Sequence, residues 1–229
     1  MKRRELVQFY LSAKQSVIAA GFEHEVIWIS ETAGLRYSER DLLREAAWVI
    51  LCSGFREVVV RARFSYISLC FCDWESAGAI VNRGAVCIQA AKHAFANIAK
   101  LAAIFRIAEL VTELGFEAIR RRIDSAPLEQ LKRFPYIGGV TAEHLAKNLG
   151  YPFAKNDRHL NRLAQWFEFP DGPSLCERLA AISGDTVPVV DTVLWRFYAS
   201  KLTLQPKTMR QASLSQGLAS PTPQPVHTK

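Results

Sequence analysis

Phe134-Pro135-Tyr136-Ile137-Gly138-Gly139-Val140-Thr141-Ala142, followed by Asp157-Arg158-His159-Leu160, is the stretch on which the fold turns. Residues 128–134 read as a short helix that Pro135 ends, because the residue before a proline avoids the α region. Gly138 and Gly139 can take φ values that a side chain would forbid. From Gly139 the pattern is helical again, apolar at Ala142, Leu145, Ala146 and Leu149, and it stops at Gly150. Helix, tight turn, helix is the expected result. The free N–H groups and positive dipole end of the second helix would then be available to a phosphate. A helical pair that only packs the core fits the same residues, since glycine between helices is common.

Outward from this segment, helical periodicity dominates. Residues 3–20 form an amphipathic helix with Leu6, Phe9, Tyr10, Ala13 and Val17 on one side, ended by Gly21. Ser38-Glu39-Arg40-Asp41 resembles a capping box, and Leu42 to Cys52 behind it is apolar almost all round, as a central buried helix would be. Ser53-Gly54 breaks that helix. Residues 57–72 are read as helix despite Val58-Val59-Val60, for want of any hairpin signal. Residues 88–114 give the longest periodic element, with two apolar faces, which suggests packing between neighbours where two lobes meet. Shorter helices are expected at 115–124, 127–133, 139–149, 157–166, 174–182 and 187–201. The fold class is therefore all-α: a two-lobed helical bundle over residues 1–202, with a helix-hairpin-helix at about 128–150. From Thr203 on, Pro206, Pro221, Pro223 and Pro225 in a Ser/Gln/Thr-rich background predict a linker or disordered tail over 203–229.

Composition adds bounds. The 229 residues carry a net charge of +7 and a pI near 9.3, which invites a polyanionic partner. Lys207, Arg210 and Lys229 supply +3 of this from the acid-free tail, so the body contributes only +4. No uncharged apolar run reaches the roughly 18 residues of a membrane span. The basic start lacks a signal peptide's apolar core, so a cytoplasmic, nucleoid-associated protein is expected. The five cysteines (Cys52, Cys70, Cys72, Cys87, Cys176) are odd in number and mostly in apolar surroundings, which fits reduced, buried thiols. Their spacing fits neither a zinc site nor a four-cysteine cluster.

Asp157 lies seven residues past Gly150 and opens the next helix. It can serve simply as a helix cap. Alternatively, its carboxylate faces a nucleotide held by the hairpin, stabilises an oxocarbenium-like sugar as the bond to the base breaks, and orients the attacking water.

With both motifs quoted, residues 128–164 resemble the signature segment of the helix-hairpin-helix DNA glycosylase superfamily. That family writes Leu-Pro-Gly-Ile/Val-Gly-x-x-Thr-Ala, a helix, then Asp-x-His-(apolar)-x-Arg; here Phe134 to Ala142 and Asp157 to Arg162 take those places. The resemblance implies a DNA glycosylase-like fold with Asp157 as the catalytic carboxylate. The backbone of Ile137, Gly138, Gly139, Val140 and Thr141 would hold DNA. Two departures stand out. Tyr136 replaces the first hairpin glycine, and Val140 stands where some members carry a Schiff-base lysine. Without that amine the resemblance implies a monofunctional enzyme that hydrolyses the N-glycosidic bond of a damaged, mispaired or modified base and leaves an abasic site. Lys147 and Lys155 are expected on solvated faces. No cofactor is implied beyond room for a monovalent cation at the hairpin, and no iron–sulfur cluster. DNA is the expected partner, with the protein a monomer.

Such an enzyme extrudes its base and plugs the gap. The turn after the central helix offers Phe55 to stack and Arg56 to meet a phosphate, although core packing is the favoured reading of Phe55. Arg158 and Arg162 are expected to approach phosphates or to pair with nearby acids. Trp28, Tyr151 and Phe153 are the expected pocket walls, while Asp191 reads as structural and Arg120-Arg121-Arg122 as a flank or a solvated face. A non-catalytic DNA-binding module is the alternative from another class. Excision of modified bases from phage DNA would use the same residues for defence.

Overall fold

Ser38 and Asp41 close a reciprocal capping box: the Ser38 hydroxyl accepts from the Asp41 amide, and the Asp41 carboxylate accepts from the Ser38 amide. This box launches the helix around which half of the molecule is built. The computed structural model describes residues 3–200; among these it is all helical, with no strand. The expected tail over 203–229 lies outside the described residues.

The helices are α1 (Arg3–Val17), α2 (Glu23–Thr32), α3 (Glu39–Cys52), α4 (Glu57–Cys70), α5 (Ala77–Arg83), α6 (Ala85–Ala91), α7 (Ile98–Leu114), α8 (Phe116–Ser125), α9 (Pro127–Leu131), α10 (Gly139–Asn148), α11 (Arg158–Trp166), α12 (Gly172–Ser183) and α13 (Val187–Ser200). A π-helical turn, Ile18–Phe22, follows α1, and Gly21 (φ 88°) turns the chain there into α2.

The buried side chains form two clusters. The first runs from Tyr37 to Leu149 and takes in α3 to α10. The second joins the two ends of the described region: α1 and α2 (Leu6 to Ile29) pack with the region from Ala154 to Phe197, which includes α11, α12 and α13. Leu6, Tyr10, Ala13 and Val17 are all buried, the 3.6-residue period realised as one face. In α3, Leu42, Leu43, Ile50 and Leu51 are at most 3% exposed. Each such side chain contributes roughly 1.5–3 kcal/mol relative to exposure.

Three expectations change. Residues 88–114 are not one helix: α6 ends at Ala91 and Asn97 starts α7 afresh, its side chain accepting from the Lys100 amide. A capping asparagine overrides apolar periodicity because it satisfies a helix-end donor. The resulting α7 packs against α3, α5, α6 and α8, wholly within the first cluster rather than between clusters. Finally, α3 is not apolar all round, since Glu45 is buried within it.

Lys100, 3% exposed, sends its ammonium to the carbonyls of Ile50 (2.5 Å), Leu51 (3.2 Å) and Ser53. It thereby satisfies orphan acceptors at the C-terminus of α3 and ties down the turn that follows. Gly150 (φ 88°) is required where the two clusters meet: a Cβ there would lie 2.4 Å from the Thr32 carbonyl, and the Gly150 carbonyl accepts from the Gly34 amide at 3.1 Å.

Candidate functional site

The turn between α9 and α10 is rooted in the core and open at its tip. Phe134 and Ile137 are buried, while Tyr136, Gly138, Gly139 and Val140 are exposed. The Ile137 amide donates to the Phe134 carbonyl at 3.2 Å, and the Ala142 amide to the Gly138 carbonyl at 2.8 Å. The amides of Gly138, Gly139, Val140 and Thr141 have no acceptor among the described residues, the open N-terminus of a helix.

The glycines are not what bends this turn. Gly138 has φ −90° and a Cβ on either glycine would meet nothing within 4 Å. The left-handed residue is Tyr136, with φ 64°. It is thus the position departing from the family-like pattern that holds the conformation glycine favours. Tyr136→Gly is expected to stabilise the protein by about 0.5–1 kcal/mol, as relief of left-handed strain exceeds the added freedom of the unfolded chain. Urea denaturation midpoints check this; a lower midpoint for the glycine variant would contradict it.

The segment from Gly150 to Asn156 returns along α10. Its Lys155 amide donates to Asp191 Oδ2 at 2.6 Å, and its Asn156 amide to Glu143 Oε2 at 2.7 Å. Glu143 stands four residues into α10 from Gly139, about 6 Å along the axis. The strap therefore carries Asp157 from the C-terminal end of α10 back toward its open N-terminus.

Asp157 is the N-cap of α11. Its Oδ1 accepts from the His159 amide (2.8 Å) and the Leu160 amide (3.0 Å), and its Oδ2 lies 3.5 Å from Lys155 Nζ. The side chain is 11% exposed. Capping occupies one oxygen only. Around it, burial and the Lys155 and Lys147 charges push His144 well below its ordinary range. Burial also lowers His159 against the pull of Asp157, so both imidazoles are neutral at pH 7. Asn156 Oδ1 and His159 Nδ1 are buried with no hydrogen-bond partner among the described residues.

Neither lysine sits on a solvated face. Lys147 is buried and paired with Asp191, confirming a packing role for that acid, and Lys155 keeps only 25% of its side chain exposed. Arg158 is exposed at the first position of α11. Phe55 and Arg56 are exposed on the turn after α3, with the Phe55 ring 4.9 Å from that of Phe95 and 4.9 Å from Lys100 Nζ. Arg120 is buried and paired with Glu117, while Arg121 and Arg122 are exposed.

The aromatic residues expected around Asp157 are dispersed instead. Tyr151 lines a cleft of about 480 Å³ with Arg36, Tyr37, Arg120 and Asp124, and its hydroxyl donates to Asp124. Trp28 lines a smaller one of about 140 Å³ with Arg44, Glu45 and Asn148. Phe153 packs against the first cluster. Asp157 lines neither cleft. Both open at the C-terminal end of α10, away from the turn between α9 and α10.

Glu45 is the side chain that sequence reasoning missed. Burial raises its carboxyl above the usual range, although Arg44 and the Asn148 amide oppose the shift. Oε1 lies 2.9 Å from Arg44 and Oε2 accepts from Asn148 at 2.8 Å. The sequence signal is the charged pair Arg44-Glu45 inside an apolar run, legible only once Asn148 is known to face it.

No group of three or more His, Cys, Asp or Glu is placed to hold a metal among the described residues, and no helix of theirs is long and apolar enough to cross a membrane. No protein-family model, curated protein or solved structure matches this chain.

Proposed function

We propose that this protein is a DNA glycosylase of the helix-hairpin-helix type. The observation that carries the reading is the path of the strap, which returns Asp157 along α10 toward the end where four amides lack acceptors. A phosphate bound at those amides would fix the strand by backbone contacts, without reading sequence. Asp157 Oδ2, the oxygen free of capping bonds, would then face the deoxyribose of an extruded nucleotide. Its negative charge stabilises the oxocarbenium-like sugar as the base departs, and it orients the water that attacks C1′. With Val140 at the hairpin, water serves as the nucleophile and excision leaves an abasic site. Phe55 and Arg56, exposed on a turn anchored by Lys100, suit the gap left by the base.

Incubation with genomic DNAs of varied modification, followed by mass spectrometry of the released bases, tests this. One class of base is expected in the supernatant. DNA binding with no base released from any of them would leave a non-catalytic binding module, with Asp157 a cap alone.

A further inference from the structure

The larger cleft plays no part in the reading of Asp157, yet it is built like a binding site. Its volume of about 480 Å³ falls within the roughly 300–1,000 Å³ of small-molecule pockets. Three segments wall it: the loop 34–37 between α2 and α3, the helix α8, and the residues that end α10. It thus lies where the two clusters meet, at the Gly34–Gly150 hydrogen bond. Arg120 lines it with a buried guanidinium that lies 5.6 Å from the Phe116 ring and donates to Glu117 Oε2. A guanidinium has five N–H donors, and this is its one side-chain hydrogen bond among the described residues. None of its nitrogens is a buried atom lacking a partner, so the unused donors are wetted through the cleft. Arg36 brings a second guanidinium to the same Glu117 oxygen at 3.1 Å. One exposed carboxylate therefore answers two cations.

The remaining lining is aromatic and acidic. The rings of Tyr37 and Tyr151 stand edge to face, 6.1 Å between centroids, and the Tyr151 hydroxyl donates to Asp124 Oδ1. Burial pushes Tyr37 up to about 12, so its phenol stays neutral at pH 7. Asp124 is exposed, and its Oδ2 accepts from no described residue. We infer that this cleft is a second ligand site, taking a nucleoside 5′-monophosphate: Arg120 and Arg36 hold the phosphate, the base lies against Tyr37 and Tyr151, and Asp124 Oδ2 accepts from a sugar hydroxyl or an exocyclic amine. Planar guanidiniums match phosphate oxygens in fork geometry, and a base offers its π-face to any aromatic wall. The volume holds one nucleotide and not a strand. The site stands apart from Asp157 and from base excision. A nucleotide bound there clamps the loop 34–37 onto α8, and binding to the folded state alone raises stability.

Isothermal titration of the whole protein with the ribo- and deoxyribonucleoside 5′-monophosphates, their nucleosides and inorganic phosphate tests this. At least one monophosphate is expected to bind one-to-one, about tenfold or more tighter than its nucleoside and than inorganic phosphate, and to raise the melting temperature. Arg36→Glu reverses the charge of a largely exposed side chain, so the fold persists, and it is expected to weaken binding about tenfold or more. Arg120→Gln is expected to weaken it at least as far. Because Arg120 is buried, its variant is read only if its melting temperature stays near the parent's; otherwise Arg36→Glu decides alone. No saturable binding of any monophosphate, a nucleoside or inorganic phosphate that binds as tightly, or parent-like affinity in Arg36→Glu would overturn the inference. None of these outcomes bears on base release, so this site and the glycosylase reading stand or fall separately.

Discussion

Asp157→Asn is expected to lower base release about 10²–10³-fold, the scale of losing one preorganised electrostatic contact to a transition state, while fold and DNA binding persist. The two effects separate because the proposal gives Asp157 two roles. Oδ1 caps α11 through the His159 and Leu160 amides, and asparagine caps a helix about as well as aspartate. On the proposed reading, only the negative charge that would face the sugar is lost. Asp157→Ala gives the complementary result: activity falls as far, and removal of the cap costs a further 1 kcal/mol or so in stability. Single-turnover release of the identified base, together with urea denaturation of both variants, measures the pair. If the asparagine variant worked at the parent's rate, Asp157 would be a cap and nothing more.

Asp191→Ala is expected to cost about 3–5 kcal/mol, because it strands a buried cation. Asp191 is 1% exposed and serves two clients: Lys147, itself only 7% exposed, and the Lys155 amide. Removing the carboxylate leaves an ammonium without its counter-ion and unfastens the strap that delivers Asp157. Activity should therefore fall together with stability. The double variant Lys147→Met with Asp191→Leu should recover most of the stability, since apolar residues of similar volume can replace a buried ion pair. It should not recover the activity, as the Lys155 amide still lacks its acceptor. Denaturant midpoints and base-release rates on the three proteins check both halves. A loss below about 1 kcal/mol in the single variant would mean that water reaches Lys147 and that the pair is not truly buried.

The charged residues in the strap show where sequence reasoning succeeds and where it stops. Asp157 at the head of α11 was legible because capping is local: the acid and the amides it accepts lie within three residues. The same is true of Ser38 with Asp41, and of the apolar face of α1. Tyr136 is visible in the sequence as a departure from a pattern, but its left-handed backbone is not, since the adjacent glycines are by local chemistry the residues expected to make the turn.

What the sequence by itself determined is the helical class, most helix positions, the turn before Gly139 and an acid capping the helix beyond it. Periodicity, proline and capping act over a few residues, so each is written where it operates. Only the tertiary structure decided that α1 and α2 share one core with α11 to α13, that Lys147 is buried, and that Glu45 meets Asn148 across 103 residues. It also sent Trp28 and Tyr151 to the far end of α10 and brought Lys155 to Asp157. Burial and ion pairing belong to the packed solid, where a side chain's neighbours are set by how helices cross and not by their order along the chain.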